Sequence, residues 1–292
     1  MKYGFIGSEE GNYPTSLMCR WAKVSTSGYY EWKTRELSAT ARRRTKLGRL
    51  IQALFEASDG TYGYRRIHAD LRRSGVHADD ETVRLIMREL QLVPCQPRPF
   101  RPITTIPGDA GATPDLVRRD FAATIPGTKL VGDITYIPTW EGWLFLATVL
   151  DCATKKVVGY AMADHMRTSL VTEALRMAAR NVTIHPDVTI FHSDRGTQYT
   201  SDEFARCAAE MHILRSVGRT GICYDNAWAE SFNGTLKVER VNRTSYPTRE
   251  HARIDITSYI ELRYNQRRLH SSLGYIRPNE AEQNWFDQQS AA

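Results

Sequence analysis

The sequence has no apolar run approaching the roughly 20 residues that a bilayer-spanning helix needs. Its opening, Met1-Lys2-Tyr3-Gly4-Phe5-Ile6, runs straight into Glu9 and Glu10, which makes a poor signal peptide. Cysteine is sparse: Cys19, Cys95, Cys152, Cys207 and Cys223 lie far apart and form no Cys-x-x-Cys pair. An odd, scattered set suits a reducing compartment. Neither His192 nor His212 stands at zinc-ligand spacing from any of them, so a structural zinc is not expected. No internal repeat is evident. These absences exclude a helical membrane protein and a disulfide scaffold, and they point to a cytosolic chain with no membrane partner.

What is present is enough apolar material for a core: 41% hydrophobic content over 292 residues. That length suggests about two domains. The charge is uneven. Residues 1–101 hold 18 Lys/Arg against 11 Asp/Glu, whereas the remainder hold 21 against 22. A basic front and a near-neutral back suggest two parts with different work. The front is either a polyanion-binding surface or simply a set of solvated helix faces.

The chain divides at its prolines. Residues 1–92 read as a basic helical region. Ser38 to Ala57 carries Leu47, Leu50, Ile51, Leu54 and Phe55 at amphipathic spacing. In "TYGYRRIHADLRRSG", Ile67 and Leu71 share a face, and Gly75 is placed to end the helix. Asp79 or Asp80 can then cap a further helix that buries Val83, Ile86, Met87 and Leu90. Helix, Gly turn, helix is a candidate helix-turn-helix. Its DNA-contact candidates are Arg65, Arg66, Arg84 and Arg88. Residues 93–120 contain Pro94, Pro97, Pro99, Pro102, Pro107 and Pro114, so they read as an extended linker, with Arg98 and Arg101 available to a phosphate backbone. Residues 121–285 read as an α/β domain. Strands are expected over Leu130–Ile137, "WLFLATVLD", "VVGYAMAD", Val188–His192 and Ile213–Val217. Helices are expected over Ser169–Arg180, Ser201–Met211, Asn226–Glu239 and Arg249–Arg267. Three consecutive strands followed by alternation with helices indicate a mixed sheet covered on both faces.

Three carboxylates in this domain need explaining. Asp133 interrupts the neutral strand "LVGDITYIP" and shares a face with Val131 and Thr135. A lone Asp there is costly to bury. Asp194 stands at the mouth of the strand that ends "FHSD". Glu230 lies in "DNAWAESFNGTLKVE". At about 100° per residue, Asn226, Glu230, Asn233 and Lys237 form one narrow stripe, well away from Trp228, Phe232 and Leu236. Any one of these polar residues is more often a solvated helix face. Three carboxylates brought together repel one another, and divalent cations remove that cost. Oxygen-only ligands favour magnesium or manganese, and two such ions support phosphodiester chemistry. His192 either touches DNA or orients the site, or it is a satisfied hydrogen-bonding histidine. Asp151 reads as structural, Asp202 and Glu203 as the acidic start of a helix, and Asp164 as a loop residue. Tyr264, Asn265, Arg267, Arg268 and His270 form a basic cluster that either meets DNA or ties the last helix to the core.

Taken in order, "TYGYRRIHADL", "GDITYIPT", "HSDRGTQYTS", "ESFNGTLKVE" and "YNQRRLHSSLGYIRP" resemble the downstream-frame product of the third family of insertion-sequence transposases, which share a catalytic core with retroviral integrases. The 35 residues between Asp194 and Glu230 match the family's Asp, Asp, thirty-five, Glu pattern, and Lys237 matches the position seven residues further on. The resemblance covers most of the chain. It implies a ribonuclease-H-like fold and a bacterial enzyme, working on nucleoid DNA, that cleaves and joins DNA strands. Asp133, Asp194 and Glu230 would hold two Mg2+ or Mn2+ ions. Lys237, Asn233, Asn226 and His192 would lie against DNA. The implied partners are the element ends, a target duplex and further copies of the chain. Members are often fused to an upstream-frame product with another helix-turn-helix and a leucine zipper, which makes such a product a candidate partner. The chain begins with its own Met and shows no sustained heptads, so it reads as the catalytic half. The zinc module that precedes the core in integrases proper is missing. Two other readings share these residues: a non-catalytic DNA-binding descendant, and a nuclease of the same fold that cuts without joining.

Overall fold

The computed structural model describes residues 2–36, 38–95, 113–218 and 227–291. Three short helices come first: α1 (Lys2–Ser8), α2 (Thr15–Trp21) and α3 (Thr26–Thr34), closed around Ile6, Met18, Cys19 and Tyr29. Their seven to nine residues are too short to show a clear hydrophobic period, and no element was expected there from the sequence. The expected helices follow as α4 (Ala39–Ala57), α5 (Tyr64–Arg73) and α6 (Asp80–Glu89). Ser38 caps α4 by accepting from the Ala41 N–H, and Asp79 caps α6 by accepting from the Thr82 N–H. Gly75, at φ +74°, turns the chain after α5 in a conformation that favours glycine. Ile51, Ile67, Leu71, Val83, Ile86 and Met87 form the core of this module. Leu90 was expected to join them but is 42% exposed, because α6 ends at Glu89 and Leu90 lies beyond its last turn.

The second part is a five-stranded sheet of order β3-β2-β1-β4-β5. The first three strands, β1 (Lys129–Thr139), β2 (Gly142–Asp151) and β3 (Val157–Ala163), are antiparallel; β4 (Ile190–Ser193) and β5 (Leu214–Val217) run parallel to β1. The run Leu144–Asp151 is almost wholly buried, as a strand covered on both faces must be. The helices α7 (Thr168–Asn181), α8 (Thr197–Thr200) and α9 (Asp202–Glu210) cover one face over Leu130, Val149, Leu175 and Phe191. On the other face, α10 (Ala227–Glu239) and α11 (Arg249–Ser258) bury Val131, Leu146, Phe232 and Leu236. This is the mixed sheet covered on both faces that the strand pattern led one to expect, and the ribonuclease-H-like fold that the resemblance implied. Two glycines are required by close approach. A Cβ on Gly159 would stand 2.3 Å from the Ala174 carbonyl oxygen of α7, and one on Gly132 would stand 2.3 Å from the Phe191 ring.

Several boundaries differ from expectation. Val188 and Thr189 precede β4, since the Thr189 hydroxyl bonds the Gly127 carbonyl and the His185 N–H in a turn. The helix expected over Arg249–Arg267 is α11 continued by a π-helical segment, Tyr259–Asn265. A last helix, α12 (Pro278–Ser290), runs beyond the expected limit of the domain. Within the expected linker, residues 96–112, including Arg98 and Arg101, lie outside the described residues. Its far end packs on the sheet: the Leu116 N–H donates to Ser216 Oγ, and the Pro114 carbonyl accepts from Val217. Among the described residues, no helix is long and apolar enough to cross a membrane.

Candidate active site

Asp133 sits midway along β1, opposite Thr148 of β2. One carboxylate oxygen accepts from the Ile134 N–H at 2.9 Å, and the other accepts from Asn233 Nδ2 at 2.8 Å. Asn233 reaches it because α10 buries Ala229, Phe232 and Leu236 on the sheet, which leaves Glu230, Asn233 and Lys237 along the edge facing β1. Burial pushes the Asp133 carboxyl up to about 7, and the charge of Asp194 adds to that; the two hydrogen bonds pull the other way, and Glu230 raises it further. Both of the other candidate carboxylates therefore act on Asp133.

Asp194 follows β4 directly. Its Oδ1 accepts from the Gly196 N–H at 2.9 Å, which folds the chain into α8. Burial raises this carboxyl too, against the lowering effect of Gly196 and of neighbouring His192. Glu230, in the first turn of α10, is exposed and is raised by partial burial and by Asp194. Among the described residues, no three His, Cys, Asp or Glu side chains converge tightly enough to hold one ion. The pair Asp133 and Asp194 forms the inner part of the group, and Glu230 stands at its solvent side. The donors are all carboxylate oxygens, which suit a hard divalent cation. Asn233 Oδ1 is buried beside them and has no hydrogen-bond partner among the described residues, an acceptor that a hydrated cation would satisfy.

Lys237 projects from the same edge. Its Nζ stands 4.4 Å from the centroid of the Tyr136 ring. Burial lowers its pKa, and the charge of Asp133 opposes that. Tyr136 was not singled out as a site residue, although it lies within "GDITYIPT", only three residues along β1 from Asp133. Asn233 was visible on the stripe, but its direction was not: it turns inward to Asp133 at 7% exposure instead of outward to DNA.

Other expected contacts are placed differently. His192 is 1% exposed, with Nδ1 hydrogen-bonded to Ser216 Oγ at 2.8 Å, so the histidine reading that holds is the satisfied one and direct DNA contact is closed to it. Asn226 lies outside the described residues. Arg66 Nε donates to the Leu269 carbonyl and its guanidinium lies over Tyr62, which ties α5 to the tail rather than presenting it to DNA. Arg65 is exposed beside Tyr64. Arg84 is exposed but bound through two nitrogens to Glu81, and Arg88 is exposed. The tail cluster chiefly anchors, on α10 and β3, the end of the segment that continues α11. Arg268 pairs with Glu239 in full burial, Asn265 exchanges hydrogen bonds with Val157, and His270 bonds Tyr264; Arg267 alone is exposed. Asp151 is structural, accepting from Gly127 and Thr154.

Known proteins carry the same order of parts. Residues 42–100 match the model of an HTH-like domain, and residues 123–223 and 211–278 match two models of the integrase core domain. The transposase InsF for insertion sequence IS3A of Escherichia coli strain K12 is 34% identical over 284 residues, which span 97% of this chain and 98% of that protein. The insertion element IS600 uncharacterized 31 kDa protein of Shigella sonnei is 38% identical over 261 residues, 89% of this chain and 96% of that protein. Among solved structures, the HTLV-2 integrase catalytic core domain in complex with magnesium aligns at TM-score 0.41 and 16% identity, covering 53% of this chain and 97% of that one. The simian T-cell lymphotropic virus intasome aligns at TM-score 0.43 and 15% identity, covering 70% and 66%. Both likenesses are too slight to add to the fold described above.

Proposed function

We propose a reaction for this chain from the premise that it belongs to the transposases of IS3-type insertion sequences: metal-dependent cleavage and joining of DNA at the ends of its own mobile element. The observation that carries the proposal is the group of Asp133, Asp194 and Glu230. Asp133 stands on β1, Asp194 just past β4 and Glu230 on α10; burial raises all three carboxyls, and the charge of Asp194 adds to the rise at Asp133 and at Glu230. A structural role would not gather them.

Asp133 and Asp194 would bind the ions, and Glu230, exposed at the solvent side, would be the third carboxylate to hold them. Two divalent cations, when bound, supply Lewis acidity at both the attacking and the leaving oxygen of a phosphodiester. The chain's own groups do the rest. Asn233 fixes the rotamer of Asp133. The Gly196 N–H fixes that of Asp194. Lys237 supplies a positive charge for a phosphate or base near the scissile bond. The substrates are the element-end and target duplexes. We further propose a homo-oligomer on DNA, an upstream-frame product as a possible partner, and a cytoplasmic, nucleoid-bound setting.

Calorimetric titration with Mn2+ tests the site. Binding by the wild-type chain and its loss in Asp194→Asn is the expected pair of results. Equal binding by both would move the ions away from these carboxylates. The non-catalytic reading loses support because all three carboxylates are retained. The nuclease reading keeps the same site and differs only in the fate of the cut strand.

A further inference from the structure

The helix-turn-helix expected from the sequence is α5–α6, inside the stretch that matches an HTH-like domain, and its first helix is tied to the tail through Arg66 and Arg73. Six residues, Ser74–Asp79, join the two helices. The start of α6 presents Asp79, Asp80 and Glu81, all exposed, where a recognition helix would meet phosphates. The front unit differs on each point. Only Ala22–Ser25 joins α2 to α3, and within that turn Lys23 takes φ +51°. Ser25 caps α3 by accepting from the Gly28 N–H at 3.0 Å. There is no acid in the first turn of α3. Met18, Cys19 and Tyr29 pack at the crossing, and a Cβ on Gly28 would meet the Tyr3 hydroxyl at 2.6 Å, so α1 is drawn tightly against the same side.

That packing splits α3 cleanly. Of its nine residues only Tyr29 is buried. Tyr29 and Trp32 lie on one side and stack with Tyr3. At about 100° per residue, Thr26, Tyr30, Ser27 and Glu31 span an arc of about 140° centred opposite them. All four are exposed, and each carries a hydrogen-bonding group. Tyr30, which also meets Tyr29 edge-on at 5.4 Å, is the one aromatic ring this arc offers an apolar partner. A duplex edge would find donors and acceptors. The charges around it agree. Glu10 is taken by Lys33 at 2.6 Å, and Glu31 is balanced by Arg35 at 3.9 Å. Arg20 on α2 and Lys23 in the turn are exposed, and among the described residues no acid stands within ion-pair distance of either.

We propose that residues 2–34 form a second DNA-binding unit, in which α3 enters the major groove of duplex DNA and Arg20 and Lys23 hold the flanking phosphates. None of the family models covers these residues. The inference rests on the transposase reading for its choice of duplex but not for its geometry. Ser, Thr and Tyr hydroxyls read base edges, and a glutamate accepts from a cytosine amine.

The test uses the full chain and two duplexes, one copied from the DNA flanking the coding sequence and one of scrambled sequence. Thr26→Val with Tyr30→Ala should weaken binding to the flanking duplex about tenfold or more and leave the scrambled duplex unchanged. Lys23→Ala should weaken both and flatten the slope of log affinity against log salt by about 0.9. Ser27→Ala, outside the packed side, serves where the double variant lowers the melting temperature. Wild-type affinity and wild-type discrimination in these variants would overturn the proposal, as would a change in oligomeric state with DNA binding intact. A chain that joins DNA normally yet ignores the substitutions overturns this inference alone; one that responds to them but never joins DNA overturns the reaction alone.

Discussion

At the residue scale, Asp133 governs the site. Its folded carboxyl is raised from 3.8 to about 7, so the folded state holds a proton there that the unfolded state has released. For an acid with a raised pKa, stability is greatest below the unfolded value and falls as pH rises through the window between the two. The metal-free chain should therefore melt at a progressively lower temperature from about pH 4 to pH 7, by a few kcal/mol at most. Asp133→Asn should flatten that profile and match or exceed the wild-type melting temperature at neutral pH, while abolishing cleavage and joining. A steep profile surviving in the variant would assign the effect to another group. Lys237 belongs to the same scale. Lys237→Ala should weaken binding of the reacting DNA end and leave Mn2+ titration unchanged, and Lys237→Arg should restore part of the loss, since a point charge suffices there. Crosslinking from position 237 to a terminal nucleotide checks the placement directly. Strand and helix period placed Asp133, Glu230 and Lys237 on their sides, and Asp194 stood out at the mouth of a strand; it was the resemblance that joined them into one site. The burial of His192 was not legible, because it depends on Ser216 and Phe121, which come from elsewhere in the chain.

At the element scale, the packing under the site is tight enough to test with a single carbon. Gly132→Ala places a Cβ within 2.3 Å of the Phe191 ring, between β1 and β4, the two strands that carry or precede Asp133 and Asp194. Overpacking of this kind costs about 1–3 kcal/mol, and denaturant unfolding should show it, with joining lowered more than the loss of folded protein explains. The C-terminal end of α10 offers a second test. Glu239 takes three hydrogen bonds from Arg268 and one from Tyr259 in a buried setting. Arg268→Met leaves that carboxylate without its cation and should cost about 3–5 kcal/mol, whereas replacing Glu239 and Arg268 together by apolar residues should cost less. Periodicity revealed α4, α5, α6, α7 and α10 because each repeats its apolar residues over two turns or more. It missed α1 to α3, which are too short, and it could not reveal the π-helical turn at Tyr259–Asn265, whose Asn265 exchanges hydrogen bonds with Val157 of β3 and whose Arg263 donates to the Ala57 carbonyl at the end of α4.

At the scale of the whole molecule, the helical module and the sheet domain are joined by specific contacts. The Tyr62 hydroxyl donates to the Arg267 carbonyl and accepts from the Leu269 N–H, Arg243 pairs with Asp59, and Arg73 pairs with Glu280. Leu269 completes the apolar core of the module. A chain beginning at Thr113 would lose both the basic front and this cover. It should bind duplex DNA more weakly, with a shallower salt dependence, and equal slopes would mean that the front third contributes no phosphate contacts. The uneven charge made this division visible in the sequence, but the side of the module that docks was not, since Arg66 looks like any other exposed arginine until Leu269 is placed beside it. The central claim is that this assembled molecule cuts and rejoins DNA with three carboxylates. A strand-transfer assay with the native flanking duplex, a target duplex and Mg2+ measures it most directly. The expected result is a joined product longer than the substrate strand, absent without the cation and absent in Asp194→Asn; cut strands with no joined product, or joining that survives in Asp194→Asn, would contradict it.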